Sequence, residues 1–205
     1  MNTFDLVAQY LQPCAKGRVR IERFTVSHYQ SRMSALRPRQ YVPEGDYTRL
    51  IVGETLMMSD TNAERCSNYD ALSEARGRML IAGLGLGYVL VPILRKPEVT
   101  HVTVVELEPD VVDLVEPAVR AHVPEARDKL AVVVGDIFTW TPPEIYDTIY
   151  FDIWADICTD NLADITRLKR RFARRHRGWM GAWEEGHLRR EARRERAQER
   201  AYGGY

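Results

Sequence analysis

The chain has 205 residues and a mass of 23.7 kDa, 45% of them hydrophobic and 28% charged, a composition that argues against disordered, collagenous and membrane-spanning chains. Folding at this length buries roughly 70% of the surface that the unfolded chain exposes, so a single domain needs neither disulfide nor metal to hold it. The net charge is zero but unevenly spread: residues 167–200 carry 13 Lys and Arg against 5 Asp and Glu, leaving 16 against 24 elsewhere.

Residues 1–17 contain Asp5 and no basic leader segment, and the longest uncharged stretch, residues 79–94, is too short for a bilayer and is interrupted by glycines and Pro92. Neither secretion nor membrane insertion is expected. Cys14, Cys66 and Cys158 are an odd number without CxxC or Cys/His spacing, so no disulfide framework or zinc site is predicted and a reducing, cytoplasmic home is.

Apolar and polar residues alternate over VRIERFTVS (19–27) and RLIVGETLMM (49–58), with Pro38, Pro43 and Gly45 between them. This predicts a β-rich N-terminal extension over residues 1–60. Thr61-Asn62-Ala63-Glu64 has the form of a capping box, predicting a helix to about Ala75 in which Glu64 is a cap. Strand-like runs then alternate with helical ones: MLIAG (79–83), HVTVVEL (101–107), LAVVVGD (130–136) and YDTIYFD (146–152), separated by helices over 88–94, 109–119 and 161–172. Strands apolar on both faces belong to a parallel sheet covered by helices, so the predicted class is α/β, a Rossmann-like doubly wound sheet over residues 61–185. GWMGAW (178–183) supplies a fifth strand, and the sheet is expected to be shortened at its C-terminal side. Residues 186–205 form a basic tail with little to bury, a solvated helix or disorder able to meet nucleic acid or a partner.

Gly83-Leu84-Gly85-Leu86-Gly87 sits between a predicted strand and a predicted helix, where glycines let the backbone turn tightly beside a ligand. The dinucleotide fingerprint requires a third glycine at the position of Tyr88, so a nicotinamide cofactor is not indicated. Glu106, followed by Leu107, ends the second strand, 23 residues after Gly83, where a carboxylate can accept from both ribose hydroxyls. Asp136 ends the third strand and could accept from an adenine amine, with Ile137 lending its N–H and apolar bulk. Asp152 ends the fourth. Each acid singly could cap a helix; together with the glycine loop they converge on the crevice where open α/β sheets bind ligands. No histidine pairing, Gly-x-Ser-x-Gly elbow or Walker lysine supports metal, hydrolase or triphosphatase chemistry.

In the order and spacing of IAGLGLG, VVELEPDVV, VVGDIF and YDTIYFD, residues 54–183 resemble the class I S-adenosylmethionine-dependent methyltransferases, and ETLMMSDTNAE before them is similar to the entry of the spermidine-synthase-like branch. The resemblance implies that Gly83, Gly85 and Gly87 pass beneath the methionine and ribose of S-adenosylmethionine. It also implies that Glu106 holds the ribose, Asp136 and Ile137 the adenine, and that Asp152 faces the reacting centre. Three features depart from the pattern. Leu86 replaces the loop acid of the aminopropyltransferases, the Asp-Pro that they place shortly after the fourth-strand acid is missing from Asp152-Ile153-Trp154-Ala155-Asp156, and Ile81 replaces an acid common before the first glycine. Asp60 or Glu64 is left to hold the amino-acid end of the cofactor. The expected activity is methyl transfer to an unidentified acceptor, with Asp152 as base where the acceptor must lose a proton. The alternatives are aminopropyl transfer, or cofactor binding without turnover with the basic tail docked on nucleic acid or a partner. A homodimer could complete an acceptor pocket that the short C-terminal side leaves open.

Overall fold

The computed structural model describes residues 7–36 and 41–202; Asp5, Pro38 and the last three residues of the basic tail lie outside them. A first helical turn, α1 (Val7–Tyr10), leads into an antiparallel sheet of β1 (Cys14–Lys16), β2 (Val19–Val26), β3 (Gly45–Val52) and β4 (Thr55–Ser59), paired in that order. Between β2 and β3 lies α2 (His28–Ser34). Its start is set by a capping box, in which Ser27 N donates to Gln30 Oε1 at 2.8 Å while the Ser27 hydroxyl accepts from Gln30 N. The alternating run RLIVGETLMM falls on the hairpin of β3 and β4. Gly53 turns the chain at φ +62°, a left-handed conformation that favours glycine.

The helix predicted from Thr61 is two short ones, α3 (Asn62–Ser67) and α4 (Tyr69–Glu74). Asn68 breaks it. Its side chain is buried and held at both ends, donating to the Glu64 carbonyl at 2.8 Å and accepting from the Tyr150 hydroxyl at 2.6 Å, while its backbone leaves the helical region (φ −98°, ψ 8°). The predicted capping box does not form, because Thr61 makes no side-chain cap bond. That releases Glu64 for another role.

The rest of the chain is β5 (Gly77–Ala82), α5 (Leu90–Leu94), β6 (Val99–Glu106), α6 (Pro109–His122), α7 (Ala126–Lys129), β7 (Leu130–Val134), β8 (Tyr146–Phe151), α8 (Asn161–Phe172), β9 (His176–Ala182) and α9 (Glu185–Tyr202). The five strands form one parallel, Rossmann-like sheet in the order β7-β6-β5-β8-β9. Along β5 the side chains alternate between two cores: Met79 and Ile81 join Val111, Val115 and Val119 of α6, whereas Leu80 and Ala82 join Ile165, Leu168 and Phe172 of α8. Helices therefore cover both faces, which is why β5 reads as an unbroken apolar run. β6 lies on one side of β5 and β8 on the other. The order in which strands are laid down thus reverses at β5, and a crevice opens at the carboxyl ends of the strands at such a switch point.

The expectation that residues from 186 onward bury little needs amendment at one position. Leu188 of α9 is 1% exposed and packs with the α8 side of the core, and the Lys169 ammonium reaches both Glu185 oxygens, at 2.7 and 2.9 Å. Most of α9 beyond Leu188 is exposed, and four glutamates interleave its six arginines. The basic excess instead concentrates at residues 167–177, on α8 and the turn after it, with seven Lys and Arg and no acid.

Candidate active site

A cavity of about 410 Å³ opens at the carboxyl ends of β5, β6 and β8, a size in the range of small-molecule sites. Gly83 and Gly85 form part of its floor. Both have positive φ, +96° and +52°, and a Cβ on Gly83 would collide with the carbonyl oxygen of Asp152. Glycine is required there because two strand ends come together, and Gly83 puts no side chain of its own between backbone and cavity. Gly87 does not line the cavity. Its φ is +73°, and a Cβ there would press on Val119 and the Tyr10 hydroxyl, so the third glycine lets the loop pack on α6 and α1.

Glu106 and Leu107 line the next segment of wall. The Glu106 carboxylate is oriented by two backbone donors, Leu84 N–H to Oε2 at 2.7 Å and Glu108 N–H to Oε1 at 2.9 Å. A carboxylate offers about four acceptor positions, so each oxygen keeps capacity for a ligand hydroxyl. Asp136 and Ile137 also line the cavity. Asp136 accepts from Phe138 N–H at 2.8 Å through Oδ1, and its main-chain carbonyl accepts from the amides of Thr139 and Trp140, a turn that fixes the carboxylate at the end of β7.

Asp152 faces the same space. Its amide extends the β8 to β5 ladder, donating to Ala82 O at 2.9 Å. Its carboxyl is pushed up to about 8, first by burial and then by the negative charges of Glu64 and Glu106. Glu64, set free by the failed capping box, also lines the cavity; burial raises it to about 7 against the opposing effect of an N–H from Ser59. Two carboxyl groups able to hold or release a proton near neutrality thus share one wall. Among the described residues the single basic side chain in the wall is Arg18, which Glu108 holds at 2.6 Å. The indole N–H of Trp154 is buried there without a partner among the described residues.

Asp60 is placed elsewhere. It closes the β3 and β4 pairing, accepting from Thr48 N–H at 2.6 Å while its own N–H donates to Thr48 O, and it is not part of the cavity wall. Sequence reading missed Arg18, Met58 and Trp183, all of which line the cavity. Arg18 and Met58 come from the N-terminal sheet, and only tertiary contact brings them to the glycine loop. The paired methionines of ETLMMSD, apolar at the end of an otherwise alternating run, were the one available signal.

No known family model matches the chain, and no curated protein does. Among solved structures it is similar to the glycopeptide N-methyltransferase MtfA complexed with S-adenosyl-L-homocysteine (18% identity over 58% of this chain and 47% of that one, TM-score 0.45). It is also similar to an S-adenosylmethionine-dependent methyltransferase from Clostridium acetobutylicum (18%, 57% and 45%, TM-score 0.39). A third similar structure is a dimethyladenosine transferase from Plasmodium falciparum (23%, 42% and 30%, TM-score 0.34). The chain spans half or less of the length of these proteins. Likeness of this degree decides neither activity nor ligand.

Proposed function

We propose that this protein binds S-adenosylmethionine and transfers its methyl group to an acceptor. The observation that carries the reading is the meeting of the glycine loop, the twice-anchored Glu106 and Asp136 in one cavity at the switch point of the sheet. The floor at Gly83, where only backbone closes on the glycine, suits the cofactor's bulk, the spare acceptor capacity of Glu106 suits a ribose diol, and Asp136 with Ile137 suits an adenine edge. Glu64, not Asp60, is the acid placed to meet the cofactor's amino group. When bound, the cofactor supplies a methyl group already activated on a sulfonium. The chain's remaining task is to align the acceptor and take up its proton, and a carboxyl raised to about 8 at Asp152 suits a base working near neutrality.

Placement in the spermidine-synthase-like branch is supported by β4, which brings Met57 and Met58 to the cavity just before Glu64. Isothermal titration with S-adenosylmethionine, its decarboxylated form and NAD tests the reading. Binding of the first alone supports methyl transfer, preference for the second favours aminopropyl transfer, and binding of NAD or of none overturns the assignment. The basic stretch 167–177, more than α9, is the surface suited to nucleic-acid docking, whose signature is affinity that falls steeply with salt. The odd number of cysteines, without CxxC or Cys/His spacing, fits a reducing, cytoplasmic setting.

A further inference from the structure

The N-terminal sheet does more than border the cavity. Among the described residues β4 pairs only with β3, and the register shifts between Leu50 and Ile51: Leu50 faces Met58, but Ile51 faces Leu56, leaving Met57 as an extra residue. In a regular strand successive side chains point to opposite faces, and a bulge re-aims them. Here Met57 and Met58 both line the cavity. The Met58 sulfur then reaches the glycine loop, where it accepts from the Leu86 N–H at 3.1 Å. It also fills the space beside Gly85 that a Cβ would need. A thioether is a weak acceptor, and the donor it takes belongs to the loop assigned above to the cofactor's methionine and ribose.

We propose that Met58 is an internal stand-in for the ligand: its thioether occupies the Leu86 amide in the free protein, and a cofactor with an acceptor at that point must displace it. The inference rests on the proposed cofactor. Three features of the structure fit it. The acceptor is soft and uncharged, so an ionised carboxylate, whose hydrogen bonds are roughly twice as strong as neutral ones, can replace it. The side chain is unbranched and has several rotatable bonds, so it can leave. Its strand is an edge with a bulge, tied to one neighbour rather than two. Met58 consequently sets selectivity. A ligand bearing a carboxylate gains the Leu86 donor, whereas a decarboxylated one has nothing to exchange for the thioether and leaves it in place.

Met58→Leu keeps the volume and removes the acceptor; Met58→Ala removes both. Hydrogen exchange of the Leu86 amide in the free protein tests the contact with no ligand present. It should quicken about five- to tenfold in either variant, the equivalent of about one modest hydrogen bond, and an unchanged rate overturns the proposal. Titration of Met58→Leu should show S-adenosylmethionine binding about fivefold tighter than to the wild type, with the decarboxylated form unchanged. Weaker binding of S-adenosylmethionine, or an equal change for both ligands, overturns the stand-in role. Quickened exchange with no binding of either ligand to any form leaves the occluded amide standing and instead sinks the cofactor reading.

Discussion

Replacing Asp152 by Asn makes a neutral copy of the protonated acid, and its consequence for stability has a definite sign. Unfolded, the carboxyl gives up its proton near its ordinary 3.8; folded, it keeps it to about 8, because burial and the charges of Glu64 and Glu106 oppose ionisation. Between those values the folded state holds more protons than the unfolded one, so wild-type stability falls as pH rises from about 4 to about 8 and levels off above. At about 1.4 kcal/mol per pH unit the full shift is worth at most about 6 kcal/mol, less whatever solvent entering the cavity relieves. The Asn variant never develops that charge. Urea unfolding at pH 4, 6 and 8 should therefore show equal stabilities at the acid end and a variant more stable than wild type by a few kcal/mol at pH 8. Glu64, raised to about 7, keeps a shallower fall in both proteins between about 4.5 and 7. Parallel curves for the two proteins would refute the account of Asp152 as a buried acid held protonated. If Asp152 is also the base, cofactor affinity should survive in the variant while turnover drops by about 10²–10⁴.

Glu106→Ala deprives the Leu84 and Glu108 amides of a charged acceptor, each bond worth about 1.5–3 kcal/mol. Calorimetry should show S-adenosylmethionine affinity down by more than tenfold, and affinity within twofold of wild type would deny Glu106 its role. Leu188→Ala opens a hole beside Ile165, Leu168 and Phe172 and should cost about 2–5 kcal/mol in denaturant unfolding. An unchanged midpoint would return α9 to the status of a solvated tail.

The parallel core was legible because its signal is local. A strand buried on both faces, such as residues 79–82, is an unbroken apolar run, and α8 shows its buried stripe at Ile165, Leu168 and Phe172. The errors fell where distant residues decide. Nothing near Asn68 announces that Tyr150, 82 residues later, takes its side chain and splits the helix. Likewise the alternation over residues 49–58 announces β structure but not the turn inside it, which rests on the left-handed backbone of Gly53. At the site, the acids that end β6, β7 and β8 were readable because strand ends in a parallel sheet share one edge. Choosing between Asp60 and Glu64 depended on whether a local cap formed, and in the folded chain Thr61 makes no such bond.

The peptide group of Leu86 joins these themes. Its N–H is taken by Met58 and its carbonyl accepts from the Tyr10 hydroxyl at 2.8 Å, so both ends of one glycine-loop residue are held by the N-terminal region. Surface ion pairs between the same regions, Arg18 with Glu108 and Lys16 with Asp110 and Asp113, are screened by solvent and hold little. The Tyr10 bond differs because Leu86 is fully buried and burial drives the Tyr10 phenol well above its usual pKa. Tyr10→Phe removes one oxygen and strands a carbonyl where water has little access, a loss of about 1–3 kcal/mol. If this bond also fixes the plane of the Leu86 peptide, the variant should bind S-adenosylmethionine several-fold more weakly. Arg18→Ala, which leaves that peptide untouched, should lose less than about 1 kcal/mol of stability. Denaturant unfolding and calorimetry on both variants separate the cases. Equal losses from Tyr10→Phe and Arg18→Ala would mean that the N-terminal sheet is merely attached to the core, and that the glycine loop keeps its shape without it.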